Sequence, residues 1–224
     1  MKILRKPIKH IYLRLKRHGV STYYVELSAP KRSSEKQLRA VVTAKLPWLL
    51  KQLERQKNLP APVELKFEDG EEHFYLGRAY KLKIIQGQGA GRVVRSDFLE
   101  LHVPSGASSQ YRKNLLSRWY KNELVRIVNP MLTHWQGQMG VQASEWRLRI
   151  MKSRWGSCNT VVGRIWLNVE LIKKPLACIE YVLVHELAHL IERGHGPAFW
   201  AVVERYLPDW KARRKALNAS SIQG

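Results

Sequence analysis

The sequence predicts an α+β chain: an N-terminal antiparallel β-rich region over residues 1–105, strongly basic, followed by a second, mainly helical domain over residues 106–224. Three observations carry this reading. Short stretches that alternate apolar and polar residues dominate the first part. Pro104-Ser105-Gly106 then marks a shift from strand-like to helix-like periodicity. Beyond it stands His185-Glu186-Leu187-Ala188-His189, an H-E-x-x-H sequence, followed by His195.

Taken in order, Ile11-Tyr12-Leu13-Arg14-Leu15-Lys16 alternates apolar and basic residues, as a half-buried strand with a positive outer face would. Gly19 breaks it, and Ser21 to Leu27 reads as the returning strand, ended by Ala29-Pro30. Ser33 is placed to cap a helix through Leu38, Val42, Leu46, Leu49 and Leu53, which Pro47 should kink. Pro60-Ala61-Pro62 is a short boundary. Strands follow around Phe74, Tyr80–Ile85, Arg92–Arg95 and Phe98–Val103. Gly87-Gln88-Gly89-Ala90-Gly91 lacks the lysine and the following helix of a phosphate loop, so it reads as a hairpin tip.

From about Ser108 to Trp135, Leu115, Leu116, Trp119, Leu124, Ile127, Val128 and Leu132 mark a long amphipathic helix, bent near Pro130. Trp119 and Tyr120 read as core at this spacing. Trp146–Met151 and Arg164–Asn168 form a predicted hairpin, with Arg154 to Asn159 in the connection close to the H-E-x-x-H histidines. Ala198–Tyr206 and Trp210–Leu217 complete the chain as short helices.

The H-E-x-x-H helix opens at Pro175, carries Ile179, Val182, Leu183 and Leu190, and has Gly194 as its natural stop. Its two histidines lie one turn apart on one face, so both imidazoles reach a single ion. Random placement would yield such a sequence in a chain of this composition only about 2% of the time. With a third neutral imidazole, a tetrahedral zinc keeps one open position, the mark of a catalytic site, and Glu186 stands ready as general base for an activated water. His195 follows six residues after His189 and is the expected third ligand, with Glu192 and Glu204 as carboxylate rivals. Cys158 would close the site if it ligated, leaving Glu186 without a task; a packed thiol is the simpler reading.

These residues, with Gly194-His195 and Phe199-Trp200, resemble the YgjP-like metallopeptidase family, a zincin family related to the SprT-like and WLM zinc proteases. The resemblance extends upstream to Lys152-Ser153-Arg154-Trp155-Gly156-Ser157-Cys158 and Trp166-Leu167-Asn168, and downstream to Leu207-Pro208-Asp209-Trp210. Tyr75 to Leu82 matches the family more diffusely. It implies a compact, minigluzincin-like zincin domain, one Zn²⁺ per chain on His185, His189 and His195, and either a peptide or a nucleotide as substrate. Family members are described both as metallopeptidases and as nucleotide pyrophosphatases. Arg154 and Asn168 are candidates for contact with the substrate or transition state.

The formal charge of +21 is unevenly spread: residues 1–60 hold 15 Lys and Arg against 3 Asp and Glu. Arg14, Lys16, Lys45, Lys51 and Arg55 in that region are candidates for binding nucleic acid or another polyanion. The two cysteines suggest no disulfide framework, the N-terminus lacks a signal-peptide core, and no stretch approaches the roughly 20 apolar residues of a membrane span. A cytoplasmic zinc-dependent hydrolase of metallopeptidase type, with Glu186 as general base, is the function expected. The alternatives are a metal-dependent nucleoside-triphosphate pyrophosphatase and a nucleic-acid-associated protein with a structural zinc.

Overall fold

A computed structural model describes residues 2–18, 22–57 and 65–219. The chain divides into two compact units, Met1–Val63 and Glu64–Gly224. In the first, β1 (Lys2–Lys6), β2 (Tyr12–His18) and β3 (Thr22–Pro30) form a sheet of order β1-β3-β2. β2 and β3 pair antiparallel, placing Arg14 opposite Glu26, whereas β1 runs parallel to β3. Helix α1 (Glu35–Lys57) starts one residue later than the sequence suggests. Ser34 Oγ accepts from the Gln37 N–H at 3.2 Å while Gln37 Oε1 accepts from the Ser34 N–H at 3.0 Å, a reciprocal cap that satisfies two donors. The helix runs on through Pro47. Leu38 and Val42 pack on Leu27, Ala29, Ile11 and Leu13, a small core.

The second unit begins with β4 (Glu72–Tyr75), β5 (Arg78–Gly87), β6 (Arg92–Arg95) and β7 (Leu99–Pro104) in the order β4-β5-β7-β6. β7 lies between β5, to which it is parallel, and β6, to which it is antiparallel. The glycine-rich segment after β5 is therefore a crossover to the far edge and not the tip of a hairpin. Leu99, Leu101 and Val103 alternate inward on β7 and join Tyr80, Leu82 and the buried stripe of α2 (Ser109–Met139). α2 is capped by Ser108, whose Oγ accepts from the Tyr111 N–H at 3.2 Å, and ends on Gly140 in the left-handed conformation at φ 64°. Trp119 and Tyr120 both pack in its core, as expected.

One hydrophobic core runs from Tyr75 to Leu217. The strands between Phe67 and Val103 thus share their core with the helices, and the composition shift near residue 105 marks a change of secondary structure inside this unit. The compact division falls instead at Val63 and Glu64.

β8 (Glu145–Arg149), β9 (Gly156–Asn159) and β10 (Arg164–Asn168) form a third sheet, ordered β8-β10-β9. Here the sequence reading needs correction. β8 and β10 pair parallel, and the antiparallel partner of β10 is β9, taken from the expected connection. A 3-10 turn, Val169–Lys173, leads into α3 (Leu176–Ala188), followed by α4 (Pro197–Tyr206) and α5 (Trp210–Ala219). Trp135 on α2 donates to Glu180 on α3 at 3.1 Å, and Glu180 pairs with Arg213 on α5, so the three helices are tied together. Among the described residues no helix is long and apolar enough to cross a membrane.

Candidate metal centre

The strand pair β4–β5 fixes the entry of α3. The Leu76 and Gly77 amides of its turn donate to the carbonyls of Ile172 (2.8 Å) and Lys173 (3.1 Å). Gly77 has φ +82° and packs so closely on Pro175 that a Cβ would come within 2.8 Å of the proline ring, so glycine is required twice over. From Pro175 onward α3 is apolar on nearly every side, with Ile179, Val182, Leu183, Val184 and Leu187 all buried. The helix stops at Ala188, well before Gly194, and His189 caps it in helical conformation at φ −67°, ψ −18°. Amides of Leu190 and Ile191 tighten the exit by bonding back to the carbonyls of Leu187 and Ala188, and the chain returns with His195 ahead of α4.

Three imidazoles meet there. His185 Nε2 and His195 Nε2 are 3.1 Å apart, and the ligand nitrogens of His185, His189 and His195 all lie within 4.8 Å of one another. Fully buried Phe199 from α4 lies against all three rings, with centroid separations of 4.9, 4.5 and 4.8 Å. Trp200 contacts His185 and His195 and is itself stacked on Trp210 at 4.3 Å.

The donor set fits zinc. With zinc–nitrogen bonds of about 2.0–2.1 Å, tetrahedral ligands sit about 3.3 Å apart, close to the 3.1 Å between His185 and His195. Burial, aided by the neighbouring imidazoles, pushes the His185 ring down to about 3. Burial lowers His189 as well, although the Glu192 carbonyl, which accepts from its Nδ1 at 3.3 Å, pulls the other way. That bond leaves His189 Nε2 as the free lone pair, the ligating tautomer. His185 Nδ1 is buried without a hydrogen-bond partner among the described residues. Half-buried His185 and buried His189 are thus both shifted toward the neutral form that a metal requires.

Glu186, only 5% exposed, projects beside the imidazoles toward β9. A Cβ on Gly156 would lie 2.5 Å from its Oε1, so the strand backbone forms one wall of the carboxylate. Burial pushes Glu186 up to about 8, with Arg154 exerting a smaller opposing pull. Cys158, two residues along β9, is raised to about 11 by burial and then by Glu186, so it stays a thiol. It stands outside the imidazole cluster, as do Glu192 and Glu204; Glu204 pairs with Lys211 at 3.5 Å.

The remaining sequence candidates are dispersed. Arg154 is exposed, within electrostatic reach of Glu186. Asn168, expected to contact substrate, has no exposed surface. Its Nδ2 donates to the carbonyls of Met151 (2.8 Å) and Arg154 (2.9 Å), and its Oδ1 accepts from the Glu170 N–H at 3.2 Å. It fastens the loop that presents Arg154 and has no donor left for a ligand. Arg14, Lys16, Lys45 and Lys51 are exposed on the first unit; the side chain of Arg55 lies outside the described ones. Sequence reasoning missed Tyr181, buried one turn before His185 with its ring 5.9 Å away and its hydroxyl raised to about 12 by burial. The i−4 spacing was the available signal. It also missed Gly156 as a wall of the centre.

No curated protein matches the chain. Among solved structures it is similar to the crystal structure of the metallopeptidase zymogen of Pyrococcus abyssi abylysin, at 25% identity over 42% of this chain and 97% of that chain, with a TM-score of 0.37. The family model described as YgjP-like, metallopeptidase domain, matches residues 9–220. That match spans the H-E-x-x-H helix, the returning histidine and the strands beside them, so the chain belongs to the YgjP-like metallopeptidase family and, with it, to the metal-dependent hydrolases.

Proposed function

We propose that this chain is a zinc peptidase in which His185, His189 and His195 hold one ion and Glu186 is the general base. The observation that carries the reading is the meeting of three imidazoles, one buried and one half-buried, both shifted toward the neutral form, with a buried carboxyl raised to about 8. Bound by these nitrogens, zinc supplies Lewis acidity that polarises a carbonyl and acidifies water. Glu186 accepts a proton at its carboxylate and returns it to the leaving amine, a role suited to a group titrating near neutral pH. Gly156 keeps that carboxylate in place and water-poor. Arg154, presented by the loop that Asn168 fastens, meets a substrate carboxylate or the oxyanion that develops at the scissile carbonyl.

A peptide suits this setting better than a nucleoside triphosphate. β9 is an edge strand of its sheet, beside Glu186, and offers backbone groups to an extended chain. Phosphate chemistry commonly uses magnesium on carboxylates, and the cluster here consists of imidazoles. A purely structural zinc leaves the buried Glu186 without a role, and Cys158 is not placed as a closing ligand. Both cysteines are free thiols, which fits the cytoplasm.

The test is hydrolysis by the zinc-loaded protein against peptides, proteins and nucleoside triphosphates, alongside Glu186→Gln. Peptide cleavage should fall on the order of 10²–10⁴ in the variant with zinc retained. Triphosphate hydrolysis without peptide cleavage would move the substrate class, and wild-type turnover by the variant would move the base.

A further inference from the structure

The unit Met1–Val63 contains a feature that peptide hydrolysis does not use. An open groove of about 280 Å³ lies between β2 and α1, lined by Leu13, Arg14, Leu15, Lys16, Trp48 and Gln52. We infer that this groove binds single-stranded nucleic acid, with Trp48 stacking on a base and Arg14 and Lys16 holding the backbone phosphates.

Trp48 is 45% exposed, a large aromatic surface left in water. Arg14 and Lys16 are both exposed on β2, two residues apart on one face, with Cα atoms about 6.6–6.8 Å apart along the strand, a spacing that suits an extended polyanion. Gln52, one helical turn from Trp48, adds an amide that can both donate and accept against a base edge. The field of the region reinforces these contacts, with 15 basic against 3 acidic residues in the first 60. An exposed ring in a groove that two basic residues also line is an arrangement suited to gripping single strands without reading their sequence.

The geometry disfavours two other anionic partners. Duplex bases are stacked inward, out of reach of a single indole. Leu46 and Leu50 on α1 are also exposed, at 47% and 57%, which suggests a lipid surface. However, at about 100° per residue they lie roughly 160–200° around the helix from Trp48. Insertion into a membrane plane needs its apolar anchors on one face.

Fluorescence anisotropy of the full-length zinc-loaded chain tests this, using labelled oligothymidylate and oligouridylate of about 16 nucleotides, the matching duplex, and phosphatidylserine–phosphatidylcholine vesicles. Single strands should bind more tightly than the duplex. Trp48→Ala should weaken single-strand binding about tenfold and Trp48→Phe should restore most of it. Arg14→Gln with Lys16→Gln should lower the slope of log affinity against log salt by about 1.4, at about 0.7 per single-strand phosphate. Unchanged thermal melting and zinc content verify that each variant is folded. The inference is overturned if the wild type binds no oligonucleotide, if duplex binds as tightly as single strands, if Trp48→Ala binds as the wild type does, or if the substitutions affect vesicle binding alone.

Discussion

Gly156 and Glu186 are in contact across the centre: the backbone of β9 leaves no room for a Cβ, which would lie 2.5, 2.8 and 2.9 Å from Oε1, Cγ and Cδ of the glutamate. Because Glu186 is buried, the collision cannot be relieved by swinging the side chain into solvent. Gly156→Ala should therefore displace the carboxylate while leaving the imidazoles alone. A misplacement of about 1 Å costs on the order of 10² in rate, so kcat should fall to that extent with zinc content unchanged, while the overpacked site lowers the melting temperature. Unaltered kcat would show that the carboxylate position is not critical.

The Glu186 carboxyl also sets a pH signature in metal-free protein. Its ordinary value is 4.5 and burial raises it to about 8. Between those values the folded chain holds a proton that the unfolded chain has released, so the contribution of Glu186 to stability is greatest below 4.5, declines as pH rises through the window, and is level above 8. Burial moves His185 in the opposite direction, to about 3, so the comparison must be with Glu186→Gln. The difference in denaturation midpoint, wild type minus variant, should decrease from pH 4.5 to 8. A difference independent of pH would contradict the buried assignment.

Asn168→Ala should loosen the loop that carries Arg154. The Met151 and Arg154 carbonyls and the Glu170 amide would all lose their partner. Leaving such buried groups unmatched costs about 1–3 kcal/mol, readable as a lower denaturation midpoint, and kcat should drop while zinc stays bound. An unchanged midpoint would mean that solvent replaces the amide at no cost.

The local features of this fold were legible and the distant pairings were not. An i, i+4 histidine pair with an intervening glutamate announces itself because the helix alone brings those side chains together. The apolar stripe of α2 is legible for the same reason. Strand partnership depends on residues far apart in the chain. Alternation in Trp146–Met151 and Arg164–Asn168 identified both strands but not their parallel pairing, nor the insertion of β9 beside them. β1 went unseen because five residues, four exposed and one half-buried, carry no period. Asn168 was misplaced for a related reason: a polar residue at a strand end looks the same in sequence whether it faces ligand or buried backbone. Phe199 and Gly156 stood within recognisable motifs, yet only the packing shows that one supports the three imidazoles and the other confines Glu186.

The central claim is that three histidines, two on the helix and one on the returning loop, hold a single zinc ion. Metal analysis of extensively dialysed protein, wild type beside His185→Ala, His189→Ala, His195→Ala and Cys158→Ser, measures it directly. One zinc per chain should remain in the wild type and in Cys158→Ser, with less than stoichiometric zinc in each histidine variant. Stoichiometric zinc in the three histidine variants, or its loss from Cys158→Ser, would contradict the account.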